Sequence, residues 1–529
     1  MNYPTVTFLF FLLATGCVYF AVPKKLQWLV LLSVSVSFYI LTCGSKVVFL
    51  LAATAIIYIG AMYIQKCESR FSRQKEGLEK KDRKALRKAI DRNKKIIVSV
   101  SVISTLMILL GTKYFNFFGS IINDIAGITG IKQPIPVLEI LLPLGISYYT
   151  LMAISYLTDV YRGTVAAEKN PLMLLLFLCY FPHIIEGPFD RYRELSQQFR
   201  TPHSFEYNRI KNGGIRLVWG FFKKFVIADR AGLIVNTIFA DTSSCSGSIL
   251  FVAILLYTLQ IYAEFSGCMD IVCGTSQMFG INIAENFRRP FFAGSINEFW
   301  RRWHITLGTW LKDYVFYPIS LSGHFKKLNE KARKHIQSKY LLTLLPSAYA
   351  LFFVWFCNGL WHGASGKYIF YGLYYYALMM LGQMIKPAAD KILSRFEIKR
   401  GQGLYHIFEV LRTWIVVCFG MLIFRSETLS QAANIFIRIL SDFRISGISD
   451  GTLLSGGISG HDYIILALSF LILFTVSFAE EKGINMEESI SHQILPLRWT
   501  VYLFLLFAII IFGAYGGNFN NATLIYGEF

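Results

Sequence analysis

Two histidines differ from the other ionisable residues of this chain by their surroundings. Seven of the nine histidines lie in or beside polar segments, whereas His304 follows a run of aromatic residues and arginines that begins at Asn297, and His362 ends a strongly apolar run. Ionisable groups inside apolar membrane segments are costly and are usually functional. Because the pKa of histidine lies near neutrality, an imidazole can take the proton of a hydroxyl as that hydroxyl attacks a thioester. We therefore predict catalytic roles for His362 and His304.

The residues around His362 predict a break in the helix that carries it. The segment Cys357-Asn-Gly-Leu-Trp-His362-Gly-Ala-Ser365 places Asn358 and two glycines beside the histidine. Such residues let backbones approach closely, as they do where a helical membrane protein lines a cavity. The alternative is a packed, hydrogen-bonded histidine at the end of a span. No metal site is predicted, because the two histidines lie far apart in the chain and no third ligand is suitably spaced.

A second group of polar residues lies in otherwise apolar sequence. It contains Glu264 and Asp270, Asn286, and Arg301 shortly before His304. These four residues are candidates for lining a tunnel or binding a substrate. The alternative is a structural network in which the carboxylates and arginines neutralise one another. A third motif, Gly187-Pro-Phe-Asp-Arg-Tyr192, contains residues that break helices and is interpreted as a bend.

The composition indicates a membrane protein that positions these residues on helices. Of 529 residues, 54% are hydrophobic and only 16% are charged, with a mean hydropathy of +0.47, whereas soluble domains carry about a quarter charged residues. Apolar runs of about 20 residues recur, which is the length that crosses a bilayer. They include 26–43, 137–160, 171–187 and 341–361. We predict an all-α, polytopic integral membrane protein with about 11–13 membrane segments in one domain, 1–529. Its parts are N-terminal spans and a basic loop (1–136), a core (137–430) and C-terminal spans with a tail (431–529).

Two apolar runs contain too many charged residues to be simple transmembrane helices. Residues 214–240 contain Lys223, Lys224, Asp229 and Arg230, and residues 286–320 mix Arg, Trp and His with apolar side chains. Such segments are better placed as interfacial or re-entrant helices among other helices.

The net charge of +19 is concentrated in short loops between the apolar runs. Residues 66–95 contain thirteen Lys/Arg and five Asp/Glu, and such loops mark the cytoplasmic side. The Lys-rich loops 324–339 and 386–400 are expected on the same side, which puts the N-terminus and the tail 516–529 outside. This distribution argues for the lipid bilayer as the partner and against nucleic acid. The cysteines occur singly, without a CxxC pair, so neither a disulfide framework nor a zinc site is expected.

Several motifs, taken in order, resemble the membrane-bound O-acyltransferase family, in the branch of the alginate O-acetylation membrane proteins. They cover roughly residues 140–430 and are Leu142-Pro-Leu-Gly-Ile-Ser-Tyr-Tyr149, Glu186-Gly-Pro-Phe-Asp-Arg-Tyr192, Phe222-Lys-Lys-Phe-Val-Ile-Ala-Asp229, Glu264-Phe-Ser-Gly267, Glu285-Asn-Phe287, Phe299-Trp-Arg-Arg-Trp-His-Ile-Thr-Leu307, Gly359-Leu-Trp-His-Gly-Ala364 and Phe424-Arg425. The ordered set is far more specific than any one hexamer.

The resemblance implies a helical fold around a tunnel in a bacterial plasma membrane, with a cytosolic entrance for an acyl thioester, expected to be acetyl-CoA. No bound cofactor is implied. In that family the residue matching His362 is the candidate catalytic base, and the residue matching His304 orients the acyl group or its acceptor. Trp303 and Trp361 would wall the tunnel.

The chain ends in Leu524-Ile-Tyr526-Gly-Glu-Phe529, which is similar to a C-terminal Phe-x-Tyr-x-x-Phe motif whose tyrosine accepts the acyl group in related bacterial systems. Leu524 replaces the first aromatic residue of that motif. A phenol has a pKa near 10, so an acyl-tyrosine ester is activated relative to an ordinary alcohol ester. Tyr526 is therefore the candidate acyl carrier. The family implies that an extracytoplasmic SGNH-hydrolase-like acyltransferase then passes the group to a polysaccharide.

Three other functions remain compatible with the residues. Within the family, the chain could be a D-alanyl transfer protein of teichoic acid modification or a lipid or sterol acyltransferase. In another class, it could be a proton-coupled transporter or flippase in which His304 and His362 form a proton relay.

Overall fold

The chain folds into helices joined by short connections. The computed structural model describes residue 3 and residues 5–129, 135–138, 142–446, 453 and 458–515. Within these ranges there is no β-strand, and one isolated antiparallel bridge joins Phe287 to Trp303. The predicted carrier Tyr526 lies outside the described residues.

The α-helices are numbered in chain order. They are α1 Val6–Ala21, α2 Gln27–Cys43, α3 Val47–Gln74, α4 Lys80–Leu109, α5 Phe115–Ile128, α6 Ile146–Arg162, α7 Pro171–Cys179, α8 Tyr192–Arg200, α9 Tyr207–Phe221, α10 Asp229–Ala240, α11 Gly247–Met278, α12 Ile296–Arg302, α13 Ile305–Leu311, α14 Tyr317–Ser320, α15 Gly323–His335, α16 Lys339–His362, α17 Gly366–Arg395, α18 Gly403–Arg425, α19 Leu429–Ser441, α20 Gly460–Glu481, α21 Met486–Ser491 and α22 Leu495–Phe512. Segments of π-helix occupy Leu110–Tyr114, Phe222–Ala228 and Lys312–Phe316, and 3₁₀ turns occupy Lys24–Leu26, Gly44–Lys46 and Pro290–Phe292.

Seven helical stretches of the described chain are long and apolar enough to cross a membrane. They are Lys24–Gln74, Lys80–Ile128, Gly247–Met278, Lys339–His362, Gly403–Arg425, Gly460–Glu481 and Leu495–Phe512. A stretch of about 20 apolar residues matches the thickness of the hydrocarbon layer. The predicted fold class, an all-α polytopic membrane protein, is confirmed.

Several predicted apolar runs differ from simple spans for local reasons. In the run 137–160 the helix begins only at Ile146, because Gly145 adopts a left-handed conformation with φ of +68°. In the run 171–187, helix α7 ends at Cys179, and Pro182 lies in the turn that follows. As expected from their charges, 214–240 is interrupted by the π-helix Phe222–Ala228 and 286–320 divides into short helices.

The chain forms two compact units by its internal contacts. The first comprises Met1–Gly213 and Thr275–Ala284, and the second comprises Gly214–Gly274 and Glu285–Phe529. A single membrane domain over 1–529 stays a prediction.

The first unit has an aromatic core at its N-terminal end. The buried rings of Tyr3, Phe8 and Phe38 pack together, with Tyr3 and Phe38 stacked at 6.0 Å. The Tyr3 hydroxyl lies within hydrogen-bond distance of the carbonyl oxygens of Phe181 and Pro182, at 2.9 and 2.8 Å. The single hydroxyl proton can satisfy one of these two carbonyls at the turn after α7.

The bend predicted at residues 187–192 also belongs to the first unit. His183 is fully buried, and its Nε2 lies 3.1 Å from the carbonyl oxygen of Phe177, while its Nδ1 lies 3.6 Å from Asp190. A side chain at Gly187 would overlap His183. Gly187 therefore allows the close packing of this turn against His183.

In the second unit, α16 and α17 form a hairpin with closely packed backbones. A Cβ atom on Gly359 would overlap the carbonyl oxygen of Tyr368, and one on Gly372 would overlap that of Trp355. Glycine at both positions permits this approach, which brings the end of α16 against the first turns of α17.

Candidate active site

His304 is positioned by a short, paired segment between α12 and α13. The backbone N–H of Ile305 donates to the carbonyl of Asn286 at 3.0 Å, and that of Arg288 donates to the carbonyl of Arg302 at 2.9 Å. His304 itself adopts a left-handed conformation with φ of +47°. Such strain in a residue with a Cβ persists only where the surroundings enforce it, and it is typical of functional sites.

The Asn286 side chain determines which nitrogen of His304 carries the proton. Asn286 Oδ1 accepts from the Thr306 backbone N–H at 3.1 Å and lies 3.1 Å from His304 Nδ1. Since a backbone N–H can only donate, this atom of Asn286 must be the oxygen, and His304 Nδ1 must donate to it. In the neutral ring the Nε2 lone pair is then the acceptor. Burial lowers the pKa of His304 to about 3, so the ring is neutral at physiological pH.

His362 is the last residue of α16 and is 2% exposed. Its ring lies at edge-to-face geometry against Trp361 at 4.8 Å, Phe424 at 5.2 Å and Tyr371 at 5.6 Å. These aromatic contacts fix the orientation of the imidazole.

The structure brings the two histidines together around one indole. The ring of Trp361 lies 5.2 Å from that of His304 and 4.8 Å from that of His362, so the two imidazoles are at most about 10 Å apart. Phe265 covers another side of His304 at 4.8 Å. Residues that are distant in sequence therefore belong to one site.

Asn358 lies one turn before His362 on the same face of α16. The residue is 6% exposed, and its Oδ1 is buried without a hydrogen-bond partner among the residues that the structure describes. Buried amides normally have partners. This amide is therefore available to a ligand in the site.

Two other predicted residues have surroundings that differ from those of the imidazoles. Trp303 is 1% exposed and packs in an aromatic cluster, stacked on Phe299 at 5.5 Å and edge-to-face with Phe287 at 5.1 Å. Arg301 is exposed, and its Nε lies 3.3 Å from the carbonyl of Asn297. Trp303 has the environment of a core residue, and Arg301 that of a surface residue.

Glu264 and Asp270 lie in buried ion pairs with the π-helix Phe222–Ala228. Lys224 Nζ lies 2.9 Å from Glu264 and 2.8 Å from Asp229. Asp270 contacts Lys223 Nζ at 2.5 Å and Arg216 Nε at 3.0 Å. This arrangement corresponds to the structural network considered as the alternative for these carboxylates.

The comparison with known proteins assigns the family. The sequence model of the membrane-bound O-acyltransferase (MBOAT) family matches residues 168–425. A probable alginate O-acetylase of Pseudomonas syringae pv. tomato is 34% identical over 356 residues, 67% of this chain and 62% of that relative. One of Pseudomonas putida is 33% identical over 363 residues, 68% of this chain and 67% of that relative. The chain belongs to the membrane-bound O-acyltransferase family.

A further relative of this MBOAT chain is named for a different activity. A teichoic acid D-alanyltransferase of Bacillus subtilis is 30% identical over 293 residues, which are 54% of this chain and 69% of that relative. The match to the Pseudomonas syringae protein spans less than two thirds of that protein. The family prediction is confirmed.

The structure adds residues to this MBOAT site that sequence reasoning missed. Tyr371 and Phe424 enclose His362, and Thr306 completes the contacts of Asn286. The spacing of Tyr368, Tyr371 and Tyr375 could have indicated one aromatic face of α17. Among the described side chains, no group of three or more His, Cys, Asp and Glu could hold a metal ion.

Proposed function

We propose that this chain moves a small acyl group, expected to be acetyl, from a cytoplasmic thioester to the outer side of a bacterial plasma membrane, for O-acylation of a cell-envelope or secreted polysaccharide. The observation that supports this most directly is the pair of buried imidazoles around Trp361, with the protonation of His304 set by Asn286. Both termini are expected on the outer side.

The two histidines have different roles in the proposed reaction. His362 takes the proton of the acceptor hydroxyl while its oxygen attacks the thioester carbonyl. The C–S bond then breaks, and the leaving thiolate receives that proton from the His362 imidazolium. His304 is proposed as the positioning residue, because Asn286 fixes its ring through Nδ1. Its ring positions the acyl group beside the hydroxyl that donates to His362.

The proposed first acceptor is the Tyr526 hydroxyl. The acyl-tyrosine ester is then the donor for a partner of the SGNH-hydrolase type, which completes transfer to the polysaccharide. The activated phenol ester supports this order of steps.

The test of the carrier is mass spectrometry of the C-terminal peptide from cells. We expect an added acyl mass on Tyr526 in the wild type, and no added mass in His362→Gln or Tyr526→Phe. The mass also identifies the acyl group. An unmodified Tyr526 in cells whose polysaccharide is acylated by this chain would refute the carrier role.

Asn358 is proposed to position the thioester, with its Oδ1 accepting a hydrogen bond from an N–H group of the donor. Asn358→Leu is expected to lower kcat about 10-fold or more, while the melting temperature in detergent stays equal or rises because no protein hydrogen bond is lost. Asn358→Gln serves as the comparison that retains the amide. A leucine variant that melts earlier but keeps its kcat would indicate a packing role instead.

The relative from Bacillus subtilis supports D-alanyl transfer as a second candidate function. The two functions differ in the donor. Incubation of the purified chain with acetyl-CoA or with a D-alanyl carrier-protein thioester distinguishes them by the mass added to the acceptor.

A further inference from the structure

Two arginines flank the paired segment that holds His304. In that segment the backbone N–H of Arg288 donates to the carbonyl of Arg302 at 2.9 Å. Arg289 directly follows the first arm of the pair, and Arg302 ends α12 on the second arm. The two arginine side chains are therefore attached to neighbouring arms at the same end of the pair.

One carboxylate of α20 accepts hydrogen bonds from both arginines. Arg289 Nε donates to Glu481 Oε2 at 2.7 Å, and Arg302 Nη1 donates to Glu481 Oε1 at 2.9 Å. The three side chains are between 20% and 26% exposed, so these charged contacts are better shielded from water than those of a fully exposed ion pair. Glu481 lies 179 residues after Arg302 in the chain, and it joins the end of α20 to both arms.

The backbone that these contacts hold is strained at two points. Arg289 has φ of +46° and His304 has φ of +47°, a left-handed conformation that residues with a Cβ rarely adopt. Such conformations persist only where the surrounding contacts enforce them. At His304 one such contact is the hydrogen bond from Ile305 to Asn286. At Arg289 the corresponding contact is the Glu481 carboxylate.

The arginines keep other contacts when the Glu481 carboxylate is removed. Arg302 Nη2 donates to Glu298 on α12 at 2.6 Å, and Arg302 Nη1 donates to the carbonyl of Arg289 at 3.3 Å. The neighbouring Glu480 lies 3.8 Å from Arg289, which is beyond hydrogen-bond distance. Loss of the Glu481 carboxylate is therefore expected to loosen the link between the two arms without unfolding α12.

We propose that Glu481 is a second positioning residue, which acts through His304. Its carboxylate holds the two arms of the paired segment together and thereby keeps the His304 ring in the orientation that positions the acyl group. This inference rests on the proposed role of His304 in acyl transfer. It gives the C-terminal part of the chain, 431–529, a role in a site whose histidines lie in 137–430.

The first experiment measures acyl transfer by the full-length chain in nanodiscs, as thiol released from acetyl-CoA. Glu481→Gln keeps the size of the side chain and removes its charge. It is expected to lower kcat about 10-fold or more, while KM for the donor changes little. Glu480→Gln, which changes the adjacent acidic residue of α20, is the matched control and should keep the wild-type kcat.

A comparison of double variants separates positioning of His304 from a general loss of structure. If Glu481 acts through His304, Glu481→Gln should cause little further loss in a chain that already carries His304→Gln. A purely structural role would lower the residual rate by the same factor in both backgrounds, and that result would overturn the inference.

Hydrogen exchange tests the same contact without turnover. In the absence of donor, the amides of Arg288 and Ile305, which pair the two arms, should exchange about 10-fold faster or more in Glu481→Gln than in Glu480→Gln. Equal exchange in the two variants would overturn the inference, whichever donor the chain uses. Faster exchange in a chain that releases no thiol from acetyl-CoA would support the contact made by Glu481 and refute the proposed donor.

Discussion

Replacement of His362 by glutamine is expected to lower the rate of acyl transfer about 100- to 10 000-fold, the usual contribution of a general base. Glutamine retains hydrogen-bonding capacity but cannot take up a proton at neutral pH. The rate is measured as thiol released from the thioester donor by the purified chain. Because three aromatic rings enclose position 362, the variant should still fold.

The matched control is His335→Gln, which alters an exposed histidine at the end of α15. It should keep the wild-type rate. If His362→Gln retains more than about a tenth of the activity, His362 is not the base, given the contribution expected of one.

Replacement of Lys224 by methionine is expected to cause the largest loss of stability. Lys224 is 2% exposed and lies between the carboxylates of Glu264 and Asp229. Removal of one partner of a buried ion pair costs about 3–5 kcal/mol, because the remaining charge is uncompensated. Thermal unfolding in detergent measures the effect as a lowered melting temperature.

A triple variant tests the explanation for this loss. Lys224→Met combined with Glu264→Gln and Asp229→Asn removes all three charges and should recover most of the melting temperature. Lys312→Met, which changes an exposed lysine, should have little effect. If the triple variant is as unstable as the single one, lost packing rather than unpaired charge is responsible.

The sequence could single out the two histidines as candidates because each lies in a distinctive context. His362 ends an apolar run beside Asn358 and two glycines, and His304 follows an aromatic segment rich in arginine. Their common neighbour Trp361 depends on tertiary packing, which no local pattern contains. The tautomer of His304 likewise depends on a contact between Asn286 and Thr306 that spans 20 residues.

The roles of Glu264 and Asp270 could not be decided from residue type. A buried carboxylate serves equally well in a substrate site or in an ion pair. The deciding partners, Lys223 and Lys224, lie about 40 residues earlier, within the π-helical segment 222–228. The charge within run 214–240 indicated an irregular helix but not its partners.

The apolar runs of the sequence predicted the positions of helices more accurately than they predicted which segments are long enough to cross the membrane. Runs 26–43 and 341–361 correspond closely to α2 and α16. Run 171–187 does not, because turn-forming residues end α7 after nine residues. Hydropathy reports average burial, whereas the end of a helix depends on single residues.

The backbone contact of Gly359 with Tyr368, and of Gly372 with Trp355, has a consequence for substrate entry. The two helices pack so closely at these glycines that there is no room for a side chain between them. We therefore expect His362, the proposed base, to keep its position relative to α17 during turnover. Widening that admits a donor or releases a product is then expected from side-chain rotation or from displacement of other helices, and cross-linking α16 to α17 should leave the catalytic rate unaltered.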